Sequence, residues 1–583
     1  MKQLKLLYLI FSMLLTWNVS AEILTVTNTD DSGTGSLRRM VQIANNGDSI
    51  VFDKSLAGDT IKLQTDISIT NPISISGKNA SVIISGGKIT GGKSIDNLTF
   101  DSSGINNCPL VSGCILKNCT NSAIRSSIDS ISVINCTFES NSSSNGGAIN
   151  SHYSTITGCA FENNSATNAG NGNGGAIYGT SSIITNCTFE NNSAEYCGAI
   201  SLSSSTSTIA DCKFEKNFAT WGSGAISAGG SFTNCTFENN RTTKSNGGGA
   251  ISGSGSFTNC TFENNTSAGS GGAISTGSTS TFTDCKFKNN SSNGGAGGAI
   301  FAGYFNTILI INRCTFENNT ATTLLGGAIF AGSVDSLNYY YITNCTFENN
   351  SADRGGAISG IGDVANCTFS NNSANNGGAV YGFGGSINLK GNIFVNNKIM
   401  PDDILNDVYN GISMGYNVYT SGQNTVFSQS TDYRFTGTQS LLVPLGDYGG
   451  DTQTMPINTS VPNWENIVRR VPISSDRTTD QRGVPLPTTG LACAGSVEMP
   501  LGADFTGLNE IKKESVTVYP NPACDIIHFN LDENSEVQLY DTLGKLVKVQ
   551  SCKIGSNEIN ISDLAKGAYF LKVNGKSTKI MKK

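Results

Sequence analysis

The chain has 583 residues, of which 14% are charged and 67 are glycine; its net charge is −7 and it has two histidines. Basic residues cluster only at the extreme C-terminus, which argues against a nucleic-acid-binding protein. An apolar content of 38% with this modest charge excludes a disordered chain. Since His152 and His528 are the only histidines, a histidine-rich metal site or a Ser-His-Asp triad has almost no residues to draw on. We expect no metal, no cofactor and no nucleic-acid partner.

Residues 1–21 have the composition of a secretory signal peptide. Lys2 and Lys5 precede an apolar run that begins at Leu6, and small residues lead to a cleavage point after Ala21. The alternative is an uncleaved membrane anchor, for which the run is short. The mature chain is therefore predicted to be exported.

Two short motifs recur through the middle of the chain. The first is the heptapeptide Asn-Cys-Thr-Phe-Glu-Ser-Asn of residues 135–141, with variants that begin at Gly158, Asn186, Asp211, Asn234, Asn259, Asp284, Arg313, Asn344 and Asn366. The second, Gly-Gly-Ala-Ile, begins at Gly146, Gly174, Gly271, Gly297, Gly326 and Gly355. Successive cysteines of the heptapeptide are 22 to 31 residues apart. A period in the mid-twenties predicts a solenoid.

Each repeat has the pattern of short strands joined by corners. Cys and Phe are two residues apart, so they share one face of a strand and the Thr between them faces the other way. An apolar residue lies three positions before each Cys, so regular strand alternation would place the two side chains on opposite faces. One left-handed residue just before Cys would bring them to the same face, and that position is mostly Asn, Asp or Gly. Gly-Gly marks a second corner. We predict an all-β fold, with a parallel β-solenoid of about 14 coils over residues 50–400.

The two motifs, Gly-Gly-Ala-Ile and Phe-Glu-Asn-Asn, resemble the repeats of chlamydial polymorphic outer-membrane proteins and related right-handed parallel β-helix proteins. The likeness covers residues 135–397 and implies a right-handed coil. Leu24–Asn28 and Asp31–Arg38 resemble the N-terminal cap of such helices, which we place at residues 22–49. A cap is needed because an open solenoid end exposes unpaired strand edges.

Stacked coils are expected to align equivalent side chains in columns. Export favours disulfides, but adjacent strands hold Cβ atoms nearly 5 Å apart, against about 3.8 Å in a disulfide, so we expect buried thiols. The glutamates after each Phe would form a second column, either solvated or sharing cations. The Asn pairs that follow are interpreted as turn residues rather than as glycosylation sites. The predicted cysteine column comprises Cys119, Cys136, Cys159, Cys187, Cys212, Cys235, Cys260, Cys285, Cys314, Cys345 and Cys367.

Two long loops carry grouped aromatic residues. The candidate ligand-binding residues are Tyr304 and Phe305 in the first loop, and Tyr339, Tyr340 and Tyr341 in the second. Because the loops belong to adjacent coils, these rings could form a platform for a ligand. The alternative is that they pack on each other or on the wall of the solenoid.

Residues 401–505 differ in composition and are predicted to close the solenoid. Within them, Leu445–Pro456 and Thr479–Gly483 resemble the closing segment of bacterial surface β-helix proteins that use interchangeable anchors. Asp480 and Arg482 could be read as catalytic. A salt bridge within the cap is the preferred interpretation.

Residues 512–583 form a separate unit, in which alternating strands and turn glycines predict a small β-sandwich. Its conspicuous residues are Tyr519, Pro520, Asn521 and Pro522 near the start and Gly567 and Tyr569 near the end. They resemble the C-terminal sorting domain of type IX secretion substrates in Bacteroidetes. The resemblance implies transport by the type IX secretion machinery, removal of the domain and attachment to surface lipopolysaccharide.

Two classes of function fit this organisation. The first is a secreted or cell-surface, adhesin-like protein without enzymatic activity, which presents a rigid rod to glycans, host surfaces or other cells. The alternative is a polysaccharide lyase or glycosidase, which would need acids clustered on one wall. Its charged candidates are Glu195, Asp335, Asp353, Arg354 and Asp363. We assign no catalytic residue and favour the adhesin-like function, outside the cell or at the outer-membrane surface.

Overall fold

A computed structural model describes residues 21–499 apart from 129, 168–170, 245–246, 305, 333–337, 402–403, 422–424 and 474–476. It also describes residues 518–582 apart from 520–522, 524, 532–533, 542–545, 566 and 574–575. By its contacts the chain divides into two compact units, Met1–Thr506 and Gly507–Lys583. Among the described residues, no helix has the length and apolar character needed to span a membrane.

The first unit contains a right-handed parallel β-solenoid, as predicted, with about 15 coils where the sequence predicts about 14. Sheet 1 contains two neighbouring ladders, which merge where one strand spans both. Its strands are Ile23–Val26, Ser49–Phe52, Ile67–Ile69, Ser74–Ser76, Ile89–Gly91, Ser94–Asp96, Ile105–Asn106, Leu110–Ser112, Ile124–Ser126, Ile131–Ile134, Ile149–Thr157, Ile177–Thr185, Ile200–Leu202, Ser207–Ala210, Ile226–Ser227, Gly230–Thr233, Ile251–Ser252, Gly255–Thr258, Ile274–Ser275, Ser280–Thr283, Ile300–Phe301, Ile308–Asn312, Ile329–Ala331, Tyr339–Thr343, Ile358–Ala365, Val380–Lys390, Val408–Tyr409 and Gly411–Ser413.

Sheets 2 and 3 complete the coils. Sheet 2 comprises Thr60–Leu63, Ile83–Gly86, Thr99–Asp101, Ile115–Lys117, Thr137–Glu139, Ala160–Glu162, Thr188–Glu190, Lys213–Glu215, Thr236–Glu238, Thr261–Glu263, Lys286–Lys288, Thr315–Glu317, Thr346–Glu348, Thr368–Ser370, Ile393–Val395, Val418–Tyr419 and Tyr433–Arg434. Sheet 3 comprises Ser142–Ser143, Ser165–Ala166, Ser193–Ala194, Phe218–Ala219, Arg241–Thr242, Thr266–Ser267, Ser291–Ser292 and Thr320–Ala321. A short sheet of Ser373–Ala374, Lys398–Ile399 and Ile404–Leu405 follows it.

The heptapeptide encodes two corners and the strand between them. In the copy that begins at Asn259, Asn259 is left-handed with φ 52°, Cys260 and Phe262 are buried, Asn264 is left-handed with φ 56°, and Asn265 is buried. The residue before the cysteine has φ between 51° and 67° in all ten copies. The predicted left-handed residue is therefore confirmed, and it restores the alternation that places the apolar side chains inside.

Two columns of side chains run through the solenoid interior. Phenylalanine rings of neighbouring coils stack 4.6–4.9 Å apart and nearly parallel, from Phe138 to Phe394. Beside them, each buried Asn donates its side-chain amide to the amide oxygen of the Asn on the next coil, from Asn141 to Asn397, at 2.9–3.0 Å. Asn397 donates to Asp407. This asparagine ladder satisfies polar groups within an otherwise apolar core.

The cysteine column differs from the prediction at its first position. Pairing of Ile115 with Thr137 places Cys114, rather than Cys119, below Cys136. Cys119 instead lies below Asn141, whose side-chain oxygen accepts its backbone N–H at 3.0 Å. Sixteen described cysteines are free and buried. Burial raises the pKa of the Cys285 thiol well above its usual range.

The N-terminal end is covered by helix α1, Leu37–Ile43, which Ser36 caps by accepting the backbone N–H of Arg39. Leu37 is buried, and Met40 and Val41 pack against the core. A 3₁₀ turn, Lys54–Leu56, follows the second strand. The helix thus covers the first coil in the region predicted to be a cap.

The coils continue beyond residue 400, because strands up to Tyr433–Arg434 still pair with the solenoid sheets. The remaining segment contains helix α2, Trp464–Val468, and the antiparallel strands Arg469–Pro472 and Leu491–Cys493. It packs along the outer side of sheet 2 rather than only over the end.

The C-terminal unit contains two antiparallel sheets that share one core, which is the predicted β-sandwich. Buried residues from both sheets, including Phe529, Ile559, Leu539 and Leu571, form this core. One sheet comprises Val518–Tyr519, Ile526–Leu531 and Gly555–Asn560; the other comprises Ser535–Asp541, Leu546–Cys552, Gly567–Val573 and Lys576–Lys582.

Candidate ligand-binding face

The outer surface of sheet 1 changes character along the solenoid. One outward column is followed through direct strand pairing over twelve coils. Its first part, which we call the early-coil face, comprises Ser132, Thr155, Ile183, Thr208, Ser231, Ser256 and Thr281. Its second part, the late-coil face, comprises Ile310, Tyr341, Asp363, Asn388 and Ile412. Apart from Ile183, the first part therefore carries hydroxyl side chains, and these give way to apolar, aromatic, acidic and amide side chains in the second part.

The early-coil face borders a shallow groove of about 410 Å³ lined by serine, threonine and glycine. Gly230 and Gly255 contribute to its lining, and a Cβ on Gly255 would lie 2.0 Å from the carbonyl oxygen of Gly230. The late-coil face instead exposes bulky groups: Ile310 is 42% exposed, Tyr341 47% and Ile412 48%. On the early coils Ile183 of the same column is 51% exposed, but only the late coils place several bulky side chains in adjacent positions.

The three consecutive tyrosines form part of a strand, Tyr339–Thr343, and not a loop as predicted. Strand alternation separates their side chains: Tyr341 is exposed, Tyr339 is half-buried and Tyr340 is fully buried. The rings of Tyr339 and Tyr341 lie 5.0 Å apart with a 51° tilt. Two of the three tyrosines can therefore contact a ligand on this face.

Tyr340 is a correction to the predicted site. Its ring lies in the core over Gly360 and Gly362, and a Cβ on Gly362 would lie 2.3 Å from the ring. Its hydroxyl has no hydrogen-bond partner, and burial raises its pKa well above the usual range. Its 0% exposure removes it from any surface platform.

Tyr304 lies on a neighbouring coil and is 46% exposed. Its ring packs edge-on against Phe301 at 5.6 Å, and Phe301 stacks on Phe330. Phe305, the other predicted ligand-binding residue of this coil, lies outside the described residues. The Tyr304 ring is therefore partly exposed, as a ligand-binding residue would be, and partly packed against other aromatic rings, as the alternative interpretation expects.

Asp363 lies next to the two tyrosines and organises the polar part of the late-coil face. Its Oδ1 accepts the side-chain amide of Asn388 at 2.8 Å. Partial burial, together with the hydrogen bond and negative charge of Asp363, raises the pKa of Tyr339 to about 12. The carboxylate therefore accepts a hydrogen bond from an amide and acts electrostatically on a neighbouring phenol.

The other acids considered for catalysis bind local partners. Asp353 accepts the side-chain amide of Asn375 at 2.7 Å and lies 3.5 Å from the guanidinium of Arg354. Arg354 also lies 5.7 Å from the centre of the Tyr381 ring. Glu195 is half-buried, and Asp335 lies outside the described residues. No group of three His, Cys, Asp or Glu side chains suited to a metal occurs in the described part of the chain.

Asp480 and Arg482 form a buried ion pair at 2.7 Å, as the structural interpretation predicted. Asp480 also accepts the backbone N–H groups of Arg482, Val484 and Glu498. Their charged groups are 0% and 6% exposed. This pair therefore stabilises the closing segment from within.

The same segment covers the threonine column of sheet 2 in the late coils. Gln481 donates to Thr315 at 2.9 Å, and Ser496 contacts Thr346 at 2.9 Å and Thr368 at 3.1 Å. These three threonines are buried, whereas the equivalent threonines of earlier coils are partly exposed. A cleft of about 330 Å³ remains beside Arg477, between the segment and the coils. In the late coils, sheet 2 is thus covered while sheet 1 stays open.

The glutamate column remains at the surface of sheet 2 and contacts lysines. Lys216 lies 2.7 Å from Glu215, and Lys288 lies 3.1 Å from Glu317. Burial, followed by the charge of Glu317, raises the pKa of Glu348. Lysine pairing therefore relieves part of the repulsion between stacked carboxylates.

In the C-terminal unit, Tyr519 is exposed, while Tyr569 is buried and donates its hydroxyl to the backbone oxygen of Ala565 at 2.8 Å. Gly567 has a positive φ of 154° at the start of its strand. Pro520, Asn521 and Pro522 lie outside the described residues. Of the motif residues, Tyr569 thus has a clear packing role.

Three family models match parts of the chain. The secretion system C-terminal sorting domain matches residues 517–583, the right-handed β-helix region matches residues 199–374, and the Chlamydia polymorphic membrane protein repeat matches residues 135–152. None of the three extends to residues 401–505, whose likeness to interchangeable-anchor proteins stays a prediction.

Among solved structures, the chain is similar to Jun a 1, the major allergen of cedar pollen, at 12% identity and a TM-score of 0.21. The match covers 42% of this chain and 78% of that one. The comparison with curated proteins found no match. The β-helix fold, the match to a chlamydial repeat and the match to a secretion sorting domain together indicate an exported, cell-surface protein.

Proposed function

We propose that the protein is an adhesin-like, non-enzymatic β-helix that contacts glycans or other cells through its late-coil face. The observation that carries the proposal is the exposure of Ile310, Tyr341 and Ile412 in a column where earlier coils mostly have serine or threonine. Apolar side chains on an open face do not add to the packing between coils that stabilises a repeat protein. A bound ligand would cover them.

The two outer faces of the late coils support this choice. Sheet 2 is covered by the closing segment through Gln481 and Ser496, so its outward side chains are unavailable. Sheet 1 remains open at the same coils, and its aromatic rings are flanked by polar partners. Contact with a large surface is thus favoured on one side of the solenoid.

The C-terminal sorting domain supplies the route to the cell surface. We propose that residues 1–21 direct export and that residues 512–583 engage the type IX secretion machinery, are removed, and leave the protein attached to surface lipopolysaccharide. Deletion of residues 512–583 should leave a folded solenoid in the periplasm. Peptides from residues 579–583 recovered from most surface-exposed molecules would contradict removal of the domain.

The adhesion proposal is tested with purified protein and with displaying cells. Tyr341→Ser should reduce adhesion to glycan-coated or cell surfaces without lowering the melting temperature, since its side chain is half exposed. Tyr153→Ser is the matched control, because Tyr153 is 50% exposed on an early coil. Equal adhesion of both variants and the unmodified protein would contradict the proposal.

A cleavage assay distinguishes the lyase or glycosidase alternative. Pectin, alginate and glycosaminoglycans are incubated with the protein, and new reducing or unsaturated ends are measured. We expect none. Reproducible cleavage that is lost in Asp353→Asn and Asp363→Asn would establish the enzymatic alternative.

A further inference from the structure

We propose that the late-coil face binds neutral glycans, with Asp363 and Asn388 holding sugar hydroxyl groups and Tyr341 packing against the sugar ring. This inference rests on the proposed adhesive function and names its ligand class. It is carried by the juxtaposition of an acid–amide pair with two tyrosine rings on one open surface.

The polar pair has the chemistry that vicinal hydroxyl groups require. Asn388 donates one amide hydrogen to Asp363 Oδ1 and its amide also interacts with Tyr339, which leaves its oxygen for a ligand. The carboxylate has acceptor sites beyond the one that Asn388 uses. Two neighbouring hydroxyls can therefore donate to the carboxylate and to the amide oxygen, and the bond to the carboxylate is charge-assisted and stronger than a neutral one.

The apolar part of the face supplies the complementary surface. Sugar rings present C–H groups that pack on aromatic faces, and the Tyr341 ring is 47% exposed beside Asp363. Ile310 precedes Tyr341 in the column and Ile412 follows Asn388, so both ends of the face are apolar. At about 4.8 Å per coil, the five positions span roughly 20 Å, which suits a chain of several sugars rather than a single one.

Charge favours a neutral ligand over an acidic one. Within the described residues Asp363 has no ion-pair partner, and the exposed Lys390 lies two positions beyond Asn388 along the strand, on the side opposite to Tyr339. A uronate or sulfate placed over the tyrosine rings would lie beside the unneutralised carboxylate of Asp363. Polymers of neutral hexoses avoid this repulsion.

The test measures binding of the purified full-length protein to immobilised mannan, dextran and laminarin, and to alginate and heparin as acidic polymers. We expect at least one neutral polymer to bind better than both acidic ones. Asp363→Asn and Tyr341→Ser should each weaken that binding roughly tenfold, while the controls Asp353→Asn and Tyr153→Ser stay within about twofold. Asp363→Asn preserves the size of the side chain, and melting curves establish that each variant is folded.

The outcomes separate the two proposals. Stronger binding to alginate or heparin, or neutral-glycan binding that Asp363→Asn and Tyr341→Ser leave unchanged, overturns this inference while adhesion stands. Protein that adheres to cells but to none of the polymers also overturns it. Absence of adhesion to cells and to every polymer overturns both.

Discussion

The coils of residues 131–283 and those of residues 308–413 share one interior and differ outside. Both stack phenylalanine rings 4.6–4.9 Å apart and pass the same asparagine ladder from coil to coil. Outside, the early-coil face mostly carries small hydroxyl residues, whereas the late-coil face carries Ile310, Tyr341 and Asp363. In the late coils the closing segment also covers sheet 2.

This difference teaches how to separate scaffold from function in a repeat protein. An interior side chain must match its neighbours above and below, so packing maintains its repetition. An exterior side chain has no such constraint. Several departures from the repeat on adjacent coils of an open face therefore indicate a role beyond folding, whereas departures under the closing segment are explained by packing.

The largest loss of unfolding free energy is expected from a substitution in the interior of a late coil. Tyr340→Ser should lower the free energy of unfolding by about 3–5 kcal/mol, because it leaves a cavity over Gly360 and Gly362. Tyr341→Ser should change it by at most about 0.5 kcal/mol. Tyr340→Phe removes only the unpaired hydroxyl and should be neutral or stabilising. Denaturant unfolding measures all three, and equal losses at 340 and 341 would contradict the assigned strand register.

The asparagine ladder gives the next largest effect. Asn265→Ala removes the partner of Asn240 and the side-chain hydrogen bond to the carbonyl oxygen of Phe237. Several buried polar groups then lose hydrogen bonds, so we expect a loss of about 3–4 kcal/mol in unfolding free energy. Asn264→Gly is the control, since Asn264 is left-handed outside the ladder. Equal stability of the two variants would mean that the ladder contributes little.

The end of the ladder should depend on pH. Burial raises the pKa of Asp407 to about 6, above an unfolded value of about 3.9, so its protonated form is favoured in the fold. Stability from this group is present below about pH 4 and lost as pH rises through 6. Asp407→Asn keeps an acceptor for Asn397 and should gain up to about 3 kcal/mol over the unmodified protein at pH 8.

The comparison is made at pH 4 and pH 8 by urea unfolding. The advantage of Asp407→Asn should appear mainly at the higher pH. A variant that is less stable than the unmodified protein at pH 8 would show that the carboxylate is the favoured end of the ladder.

The cysteine column should give the smallest interior effect. Cys260→Ala is expected to cost about 1–2 kcal/mol, since a small buried side chain is lost from an otherwise unchanged coil. Thiol labelling should detect most repeat cysteines after denaturation without reductant, and few before it. Few labelled thiols after denaturation would show that the column is cross-linked.

Much of the fold could be predicted because the repeat constrains it at every coil. The two-residue spacing of Cys and Phe and the left-handed residue before Cys specify which side chains face inward. The prediction that Cys119 belongs to the cysteine column is wrong. Cys119 occupies the position that is Asn in later coils, and Cys114 of the same coil occupies the position of the column. Only the register of sheet 2 distinguishes the two positions.

The candidate site was predictable in composition but not in geometry. The tyrosine run indicated an aromatic site, yet strand alternation buries Tyr340 and exposes Tyr341. Asp363 and Asn388 are 25 residues apart, and they meet only because their strands pair. That pairing depends on coil lengths, which vary through the loops. The packing of Gln481 on Thr315 is likewise a long-range contact without a local signal.

The most direct test of the central claim converts the late-coil face to the early-coil type. A variant carrying Ile310→Thr, Tyr341→Ser, Asp363→Ser, Asn388→Thr and Ile412→Thr is compared with the unmodified protein for melting temperature and for adhesion to glycan and cell surfaces. We predict an essentially unchanged melting temperature and loss of adhesion. Retention of full adhesion by the folded variant would contradict the claim that this face is the contact surface.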